Sequence, residues 1–197
     1  MLDLKTKTFE KFSLPEILTG QNCIFERRQS KHNEELFHLI TDSKEFLRKY
    51  LFWVDDTKTL EDVKQVTEIF SKNWDNRDSF EYVFLDKKTG EMVGAGGIHT
   101  ISYMNKWAEY GYYLSKNAVK KGYATDFVKT LEKELFIRGI HRLVIECDKE
   151  NTASAKVAER CGFSFEGCLK GAKFAYGEYR DEFVYAKINP QDENGSV

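Results

Sequence analysis

The sequence predicts an α+β fold, built on a mixed and mostly antiparallel sheet of about seven strands with four helices. The first observation is the order of segments, which runs strand, two helices, three strands, helix, strand, helix and two strands. The second is that short polar connections join the three consecutive strands, as between antiparallel neighbours. The third is the helix 123–138, which lies between two strands and therefore implies one parallel crossover.

One strand and two helices are predicted to open the sheet domain. The strand "CIFERRQ" starts at Cys23. The segment 33–51 is predicted to be helical because its apolar residues recur at helical spacing. A second helix follows Thr59, which forms a capping-box pattern with Asp62. The apolar residues on the predicted inner faces of these helices include Leu36, Ile40, Leu47, Val63, Val66 and Phe70.

Three strands and the crossover helix form the predicted middle of the fold. The strands are "FEYVFLD", "MVGAGGIHTIS" and "WAEYGYYLS", with a turn at "KKTGE" after the first. The crossover helix places one set of apolar residues on a single side and ends at Gly139. This set is Phe127, Val128, Leu131 and Leu135.

The last part of the sheet is predicted from one strand, one helix and a hairpin. "HRLVIECD" is typical of a buried strand. A short helix then has Asn151 as its N-cap and Gly162 just past its end. Two strands around a turn at Gly177 close the chain.

The length of 197 residues predicts one domain with small additions. Residues 1–20 are predicted to be an N-terminal arm, residues 21–189 the domain, and residues 190–197 a disordered tail. A hydrophobic content of 41% supports a sizeable core. The state in solution is expected to be a monomer or a homodimer, in which the final strands could pair.

Charge and cysteine content exclude several classes of protein. The 30 basic and 32 acidic residues give a net charge of -2, so we expect no nucleic-acid partner. We expect no membrane partner, because no apolar run is long enough to span a bilayer. The cysteines form no CxxC pair and the histidines show no zinc spacing, so reduced thiols, a cytoplasmic location and no metal are expected.

The segment "VKKGYAT" from Val119 combines positive charge with a glycine at a helix start. A helix N-terminus presents unpaired N–H groups and the positive end of the helix dipole. Gly122 lets a ligand approach the backbone, and Lys120 and Lys121 add charge. A phosphate cradle is one interpretation, and a simple turn with solvated lysines is the other. The spacing matches neither a P-loop nor a dinucleotide fingerprint.

Several stretches together resemble the GNAT acyltransferases. They are "AEYGYYLSKNAVKKGYAT", "DKENTASAKVAERCGFSFEGCLKG" and "YGEYRDEFVYA". The branch they resemble most is the RimJ/RimL type, which acetylates the N-termini of ribosomal proteins, and "YLFWVDDTKTLEDV" and "MVGAGGIHTIS" also match it. The resemblance covers roughly residues 22–188 and implies a GNAT fold with a splayed central strand pair.

The resemblance also implies acetyl-CoA as co-substrate and transfer of acetyl to a primary amine, above all the N-terminal α-amine of a protein. Small amines such as a polyamine, amino sugar or antibiotic are the alternative acceptors. A non-catalytic CoA-binding module is a third hypothesis, because Val119 stands where the family usually has Gln or Arg. The residues implied in cofactor binding are Tyr113, Leu114, Ser115, Lys120, Lys121, Gly122, Tyr123, Ala124, Thr125 and Asn151.

Two residues are candidates for the chemistry. Glu109 matches the position of a catalytic glutamate in other GNAT enzymes and would be the base, although an exposed or ion-paired strand carboxylate is the alternative. Ser154 matches a proposed proton donor to the leaving sulfur in the RimJ/RimL branch, and its alternative role is a backbone hydrogen bond in the helix. The tyrosine that many GNAT enzymes use as acid is replaced by Ala158.

Acceptor-binding candidates lie in three places. Trp53 and Asp55, with Asp56, follow the first helix, and an aromatic wall with carboxylates would suit a cationic amine. Core packing and a helix entry are the alternative roles of these residues. His99 either faces the groove that would hold the acceptor or is a sheet residue whose hydrogen bonds are already satisfied. Asp181 is either a substrate contact or part of an ion pair.

Overall fold

Eight strands form one mixed sheet, which carries Glu109, His99 and Asp181 among the candidate residues. The computed structural model describes residues 10–193. The spatial order of the strands is β1-β2-β3-β4-β5-β6-β8-β7, and only β5 and β6 pair in parallel. The strands are β1 (Ile17–Thr19), β2 (Cys23–Arg27), β3 (Phe80–Asp86), β4 (Met92–Ser102), β5 (Trp107–Leu114), β6 (Arg142–Asp148), β7 (Ser164–Ala175) and β8 (Glu178–Ile188).

Helices cover both faces of the sheet. Within the described part of the chain they are α1 (Asn33–Asp42), α2 (Lys44–Leu47), α3 (Leu60–Asn76), α4 (Tyr123–Ile137), α5 (Thr152–Arg160) and α6 (Pro190–Glu193), with 3-10 turns at Ser30–His32 and Phe52–Asp55. The capping box of Thr59 and Asp62 is confirmed, and so is Asn151 as the N-cap of α5.

Each face of the sheet has its own hydrophobic core. Phe127 of α4 packs on Phe84 with ring centroids 4.4 Å apart, within the larger core that also holds Leu131 and Leu135. On the opposite face Val83 packs with residues of α1 and α3. Because neighbouring residues of β3 point to opposite sides, this one strand supplies both cores.

The helix α4 is the crossover that the sequence predicts. It connects β5 to β6, which pair in parallel from Trp107 with Arg142 to Tyr110 with Ile145. Beyond this point β5 stays paired with β4 and β6 with β8, but the two strands no longer pair with each other. The splayed central pair is therefore confirmed, and the gap opens between Gly111–Leu114 and Glu146–Asp148.

The structure shows secondary structure in the described parts of both the predicted arm and the predicted tail. The arm contributes β1, so the sheet has eight strands rather than about seven, and Phe12 stacks on Phe80 at 5.8 Å. The predicted tail starts with the helical turn α6, where Asp192 lies 2.7 Å from His141. Residues 1–9 and 194–197, which belong to the predicted arm and tail, lie outside the described residues.

Two details of the predicted helices are wrong. The segment 33–51 is divided into α1 and α2 at Ser43 and does not form one continuous helix. The Ser43 hydroxyl accepts a hydrogen bond from the Lys116 amide at 3.1 Å. On α3, Val66 is 40% exposed and Thr67 is buried in its place. The hydroxyl of Thr67 bonds Asn33 and the buried Arg28, and an apolar pattern cannot reveal such a polar contact.

Candidate active site

The two faces of β5 present different chemistry beside the splay. Tyr112 faces α5, because its hydroxyl lies 2.9 Å from the hydroxyl of Ser154. Tyr113 faces the other way and meets Trp53 edge to face at 5.3 Å. Since side chains alternate along a strand, Glu109 and Gly111 share the face of Tyr113. The site therefore has one wall toward α5 and another toward the 3-10 turn after α2.

The loop before α4 presents bare backbone to solvent. Gly122 has a φ of +84°, and a Cβ placed there would meet nothing nearer than an Asn22 nitrogen at 3.9 Å. The first helical hydrogen bond of α4 runs from Asp126 to Gly122, so the amides of Tyr123, Ala124 and Thr125 have no intrahelical partner. These N–H groups and the helix dipole suit an anion such as the pyrophosphate of CoA.

Charged side chains near this loop were not all predicted. Lys120 and Lys121 are exposed as expected, and Lys121 borders a shallow cavity of about 270 Å³ with Lys87 and Lys88. The Tyr123 side chain instead turns inward and donates to Asp86, a hydrogen bond that raises the pKa of the tyrosine to about 12. Lys87 and Lys88 lie in the turn after β3 and add positive charge beside the loop. The sequence of the loop alone could not show that they are near.

Asp126 fixes the loop from behind. Its carboxylate accepts hydrogen bonds from the amides of Gln21, Asn22 and Cys23 at 2.7 to 3.0 Å. This acidic residue in the first turn of α4 is therefore directed at the β1–β2 turn. The β1–β2 turn and the start of α4 are therefore held together by Asp126.

Only part of the predicted backbone contact at the end of β5 is available to a ligand. The Ser115 amide donates to the Val93 carbonyl at 2.9 Å, so it is used within the sheet. Because successive amides along a strand point to opposite sides, the Tyr113 amide also faces β4, and the Leu114 amide points into the splay. Of the three residues, Leu114 alone offers its N–H to a chain lying in the gap.

The α5 wall carries Asn151 and Ser154. The Asn151 side chain accepts from the Ser154 amide at 3.2 Å, so its N-cap role is present. The Ser154 hydroxyl makes hydrogen bonds with Tyr112 and with the thiol of Cys147. Burial raises the pKa of this thiol to about 11, and the hydrogen bond from Ser154 opposes the rise. Ala158 is fully buried in the core, so the place of the missing tyrosine is occupied by packing.

Glu109 lies on the face of the sheet that Tyr113 shares, opposite to the face of Tyr112, and we call this face the floor of the groove. Its partners on the neighbouring strands are Thr100 of β4 and Val144 of β6. It is half-buried, and among residues 10–193 no ion-pair partner is found for it. Glu146 lies two residues beyond Val144 on the same face of β6, and Glu182 lies on that face of β8. Sequence reasoning missed both of these glutamates, since only the strand register brings them beside Glu109.

The carboxylates on this floor influence one another. Burial, the charge of Glu109 and the charge of Glu182 raise the pKa of Glu146, and Lys173 partly opposes them. Lys173 lies 3.1 Å from Glu182 and above the ring of Phe52. The floor therefore carries excess negative charge, which favours a cationic ligand. We call Glu109, Glu146 and Glu182 the acidic row.

The acceptor candidates divide into those at the groove and those that are engaged elsewhere. Trp53 and His99 lie at the groove, His99 with its ring against Gly111 and its Nε2 2.8 Å from Glu81. Asp55 is held by Arg48 at 3.0 Å and by Lys44 at 3.5 Å. Asp56 caps the same turn and is exposed.

Asp181 is engaged within the β7–β8 hairpin. It pairs with Lys170 at 2.8 Å, and that hydrogen bond, with one from the Gly171 amide, lowers its pKa to about 2. Strand alternation places Asp181 on the opposite face of β8 from Glu182. Arg180 pairs instead with Asp148 at 2.9 Å. The structure thus gives Asp181 the surroundings of a structural ion pair.

Between residues 10 and 193, no three His, Cys, Asp or Glu side chains are grouped so that they could hold a metal ion. Over the same range, no helix combines the length and apolar character that crossing a membrane requires.

Comparison with known proteins matches this geometry to one family. The family model "Acetyltransferase (GNAT) domain" matches residues 23–164. The ribosomal-protein-serine acetyltransferase of Escherichia coli (strain K12) is 30% identical over 158 residues, which are 80% of this chain and 87% of that protein.

Two solved structures share the whole architecture. RimL, a ribosomal alpha-N-protein acetyltransferase in complex with coenzyme A, superposes with a TM-score of 0.84 and 27% identity, covering 88% of this chain and 98% of RimL. The microcin self-immunity acetyltransferase MccE, in complex with acetyl-CoA and AMP, has a TM-score of 0.82 and 26% identity, covering 92% and 98% of the two chains. The open cradle at Gly122 and the splay beside it fit such a donor. This chain belongs to the GNAT family of N-acetyltransferases, which use acetyl-CoA.

Proposed function

We propose that this enzyme acetylates the N-terminal α-amine of a protein, of the ribosomal-protein type. The observation that carries the proposal is the acidic row, which forms the floor of the groove on the face of β5 opposite Tyr112. A groove of this charge attracts an ammonium group. The 30% identity to a ribosomal-protein-serine acetyltransferase supports the same acceptor class.

The donor would lie along the splay. Its pyrophosphate would bind the free amides at the start of α4, with Lys120 and Lys121 adding positive charge. Its pantetheine arm would run beside β5, where the Leu114 amide points into the gap. This path ends between Glu109 on one face and the Tyr112–Ser154 pair on the other, so the thioester would sit between the two walls.

Glu109 would receive the amine. An α-amine has a reference pKa of about 8, compared with about 10.4 for a lysine side chain, so it loses its proton more readily at neutral pH. The carboxylate attracts the ammonium, which loses one proton to solvent to become the neutral nucleophile, and Glu109 takes the second proton from nitrogen as the carbon–nitrogen bond forms. The carbon–sulfur bond then breaks, and the sulfur leaves as a thiolate that accepts a hydrogen bond from Ser154.

A small amine is the second acceptor class, because the similar structure MccE is named as a self-immunity acetyltransferase and not as a ribosomal-protein one. The experiment compares three acceptors with acetyl-CoA: a lysine-free peptide with a free N-terminus, an N-blocked peptide with one lysine, and a diamine. We expect the free N-terminus to have the highest kcat/KM. If only the diamine turns over, the protein-acceptor proposal fails.

A further inference from the structure

A buried carboxylate lies beneath the acceptor groove. Glu81 is the second residue of β3, its residue is only 3% exposed, and its Oε2 lies 2.8 Å from Nε2 of His99. The His99 side chain is 43% exposed toward the groove. A carboxylate is costly to bury unless it is paired and hydrogen-bonded, so this position requires the histidine or a similar donor.

The backbone around this pair is shaped to admit it. His99 lies where the register between β4 and β5 shifts, between Ile98 and Thr100. A Cβ on Gly97 would come within 2.7 Å of the Glu81 carboxylate, and one on Gly111 within 2.3 Å of Nδ1 of His99. A larger residue at Gly111 would displace the His99 ring, and one at Gly97 would first meet the Phe80 carbonyl oxygen at 1.9 Å and so push the two strands apart.

Hydrogen bonding fixes the state of the imidazole. When Glu81 is ionised it can only accept, so in the neutral imidazole Nε2 would donate to Glu81 and Nδ1 would carry the lone pair. Burial lowers the pKa of His99, but the charge and hydrogen bond of Glu81 and the charge of Glu109 outweigh it and hold the pKa above its ordinary value. Arg28 opposes this rise, and α3 presents the uncharged ring of Phe70 at 5.8 Å.

We propose that His99, oriented by Glu81, accepts from Glu109 the proton that Glu109 has taken from the amine. The inference rests on the proposed function, because it needs Glu109 to face the acceptor amine. His99 lies over Gly111, which is two residues from Glu109 on the same face of β5, so the two side chains are neighbours across the floor.

The relay answers a mismatch in basicity. A carboxylate is by nature a much weaker base than an α-amine, with reference pKa values of about 4.3 and about 8, so a carboxylate alone is a poor final acceptor for the amine proton. An imidazole starts at about 6.5, and the Glu81 charge improves it further. The proton passes from nitrogen to Glu109, then to Nδ1 of His99, and leaves to solvent from the exposed side of the ring. The resulting imidazolium is stabilised by Glu81.

The experiment joins two titrations in the full-length protein. NMR of the ring carbons gives the pKa of His99, and the pH dependence of kcat/KM with the free-N-terminus peptide gives the acid limb of the reaction. The variants are Glu81→Gln and His99→Gln, each of which keeps an amide partner for the other residue. His141→Gln is the matched control, since His141 also pairs with a carboxylate, Asp192, but far along the chain at α6.

We expect Glu81→Gln to lower the NMR pKa of His99 and to move the acid limb to lower pH by the same amount. His99→Gln should reduce kcat by on the order of 10²-fold with acetyl-CoA affinity unchanged, and His141→Gln should change neither. If the NMR pKa falls while the acid limb stays in place, the pair is structural and the inference is overturned. A wild-type rate in His99→Gln would overturn it as well and leave the proposed function intact, whereas an inactive wild type would overturn both.

Discussion

The hydroxyl of Tyr112 lies 2.9 Å from Oγ of Ser154, across the gap that separates β5 from α5. Burial raises the pKa of Tyr112 above its ordinary value, so the phenol stays protonated and acts as a hydrogen-bond donor rather than an acid. When it donates to Ser154, the serine hydrogen is directed at a sulfur acceptor, which is the Cys147 thiol in this structure and would be the leaving sulfur during the reaction. Two linked hydroxyls of this kind polarise each other, which strengthens the terminal hydrogen bond.

This relationship predicts that Tyr112 acts through Ser154. Ser154→Ala and Tyr112→Phe should each lower kcat by about tenfold, the size of one hydrogen bond of about 1.4 kcal/mol. The double variant should be no slower than Ser154→Ala alone, because the tyrosine has lost its partner. Steady-state kinetics with calorimetric acetyl-CoA binding measures both. Additive losses would show that the two hydroxyls act separately.

Gly122→Val should abolish acetyl-CoA binding without unfolding the protein. A Cβ at this position meets no protein atom nearer than 3.9 Å, and the side chain would project where the pyrophosphate is proposed to lie. Gly139→Val is the matched control, because Gly139 also has a positive φ, of +82°, with open space around it, and lies past the other end of α4. Both variants carry similar backbone strain. Normal affinity in Gly122→Val, by calorimetric titration, would refute the donor cradle.

Glu109→Gln should lower kcat while leaving acetyl-CoA affinity nearly intact. The loss should be largest at low pH, where more of the amine is protonated and needs a proton acceptor. The pH–rate profile checks this against Glu178→Gln, a control at an exposed carboxylate in the β7–β8 hairpin. A profile identical to that of the wild type would remove Glu109 from the reaction.

Glu146→Gln should weaken the acceptor and stabilise the fold. The KM for a cationic acceptor should rise several-fold, and the dependence of KM on salt should become shallower, since one charge of the acidic row is lost. The pKa of Glu146 is raised in the folded state, so ionisation of this group disfavours folding as pH rises from acid toward the folded pKa. The melting temperature of the variant should therefore exceed that of the wild type at pH 7 and approach it in acid. An equal difference at both pH values would contradict the charge argument.

The sequence predicted the features that depend on neighbours along the chain. The capping residues Thr59 and Asn151, the start of α4 at Gly122 and the apolar face around Phe127 are local signals, and the structure has all of them. The splay followed from the resemblance of the motifs to a family. The resemblance also predicted that Glu109, Ser154 and the loop lysines lie near this gap.

Features that depend on strand register could not be predicted in this way. Glu146 joins Glu109 only because β6 pairs with β5 at Val144, and Glu81 meets His99 only because β3 and β4 align around Gly97. The strand β1 similarly depends on Asp126, which is more than a hundred positions away in the chain. Conversely, Asp55 and Asp181 look like acceptor ligands in the sequence, and the structure gives them basic partners instead.

The most direct measurement of the acceptor class is a competition in one tube. The wild-type protein is incubated with limiting acetyl-CoA, a lysine-free peptide with a free N-terminus, and an equal concentration of a diamine, and the products are quantified by mass spectrometry. We expect acetyl to accumulate on the peptide N-terminus in large excess over the diamine. Predominant acetylation of the diamine would contradict the assignment of a protein α-amine as the substrate.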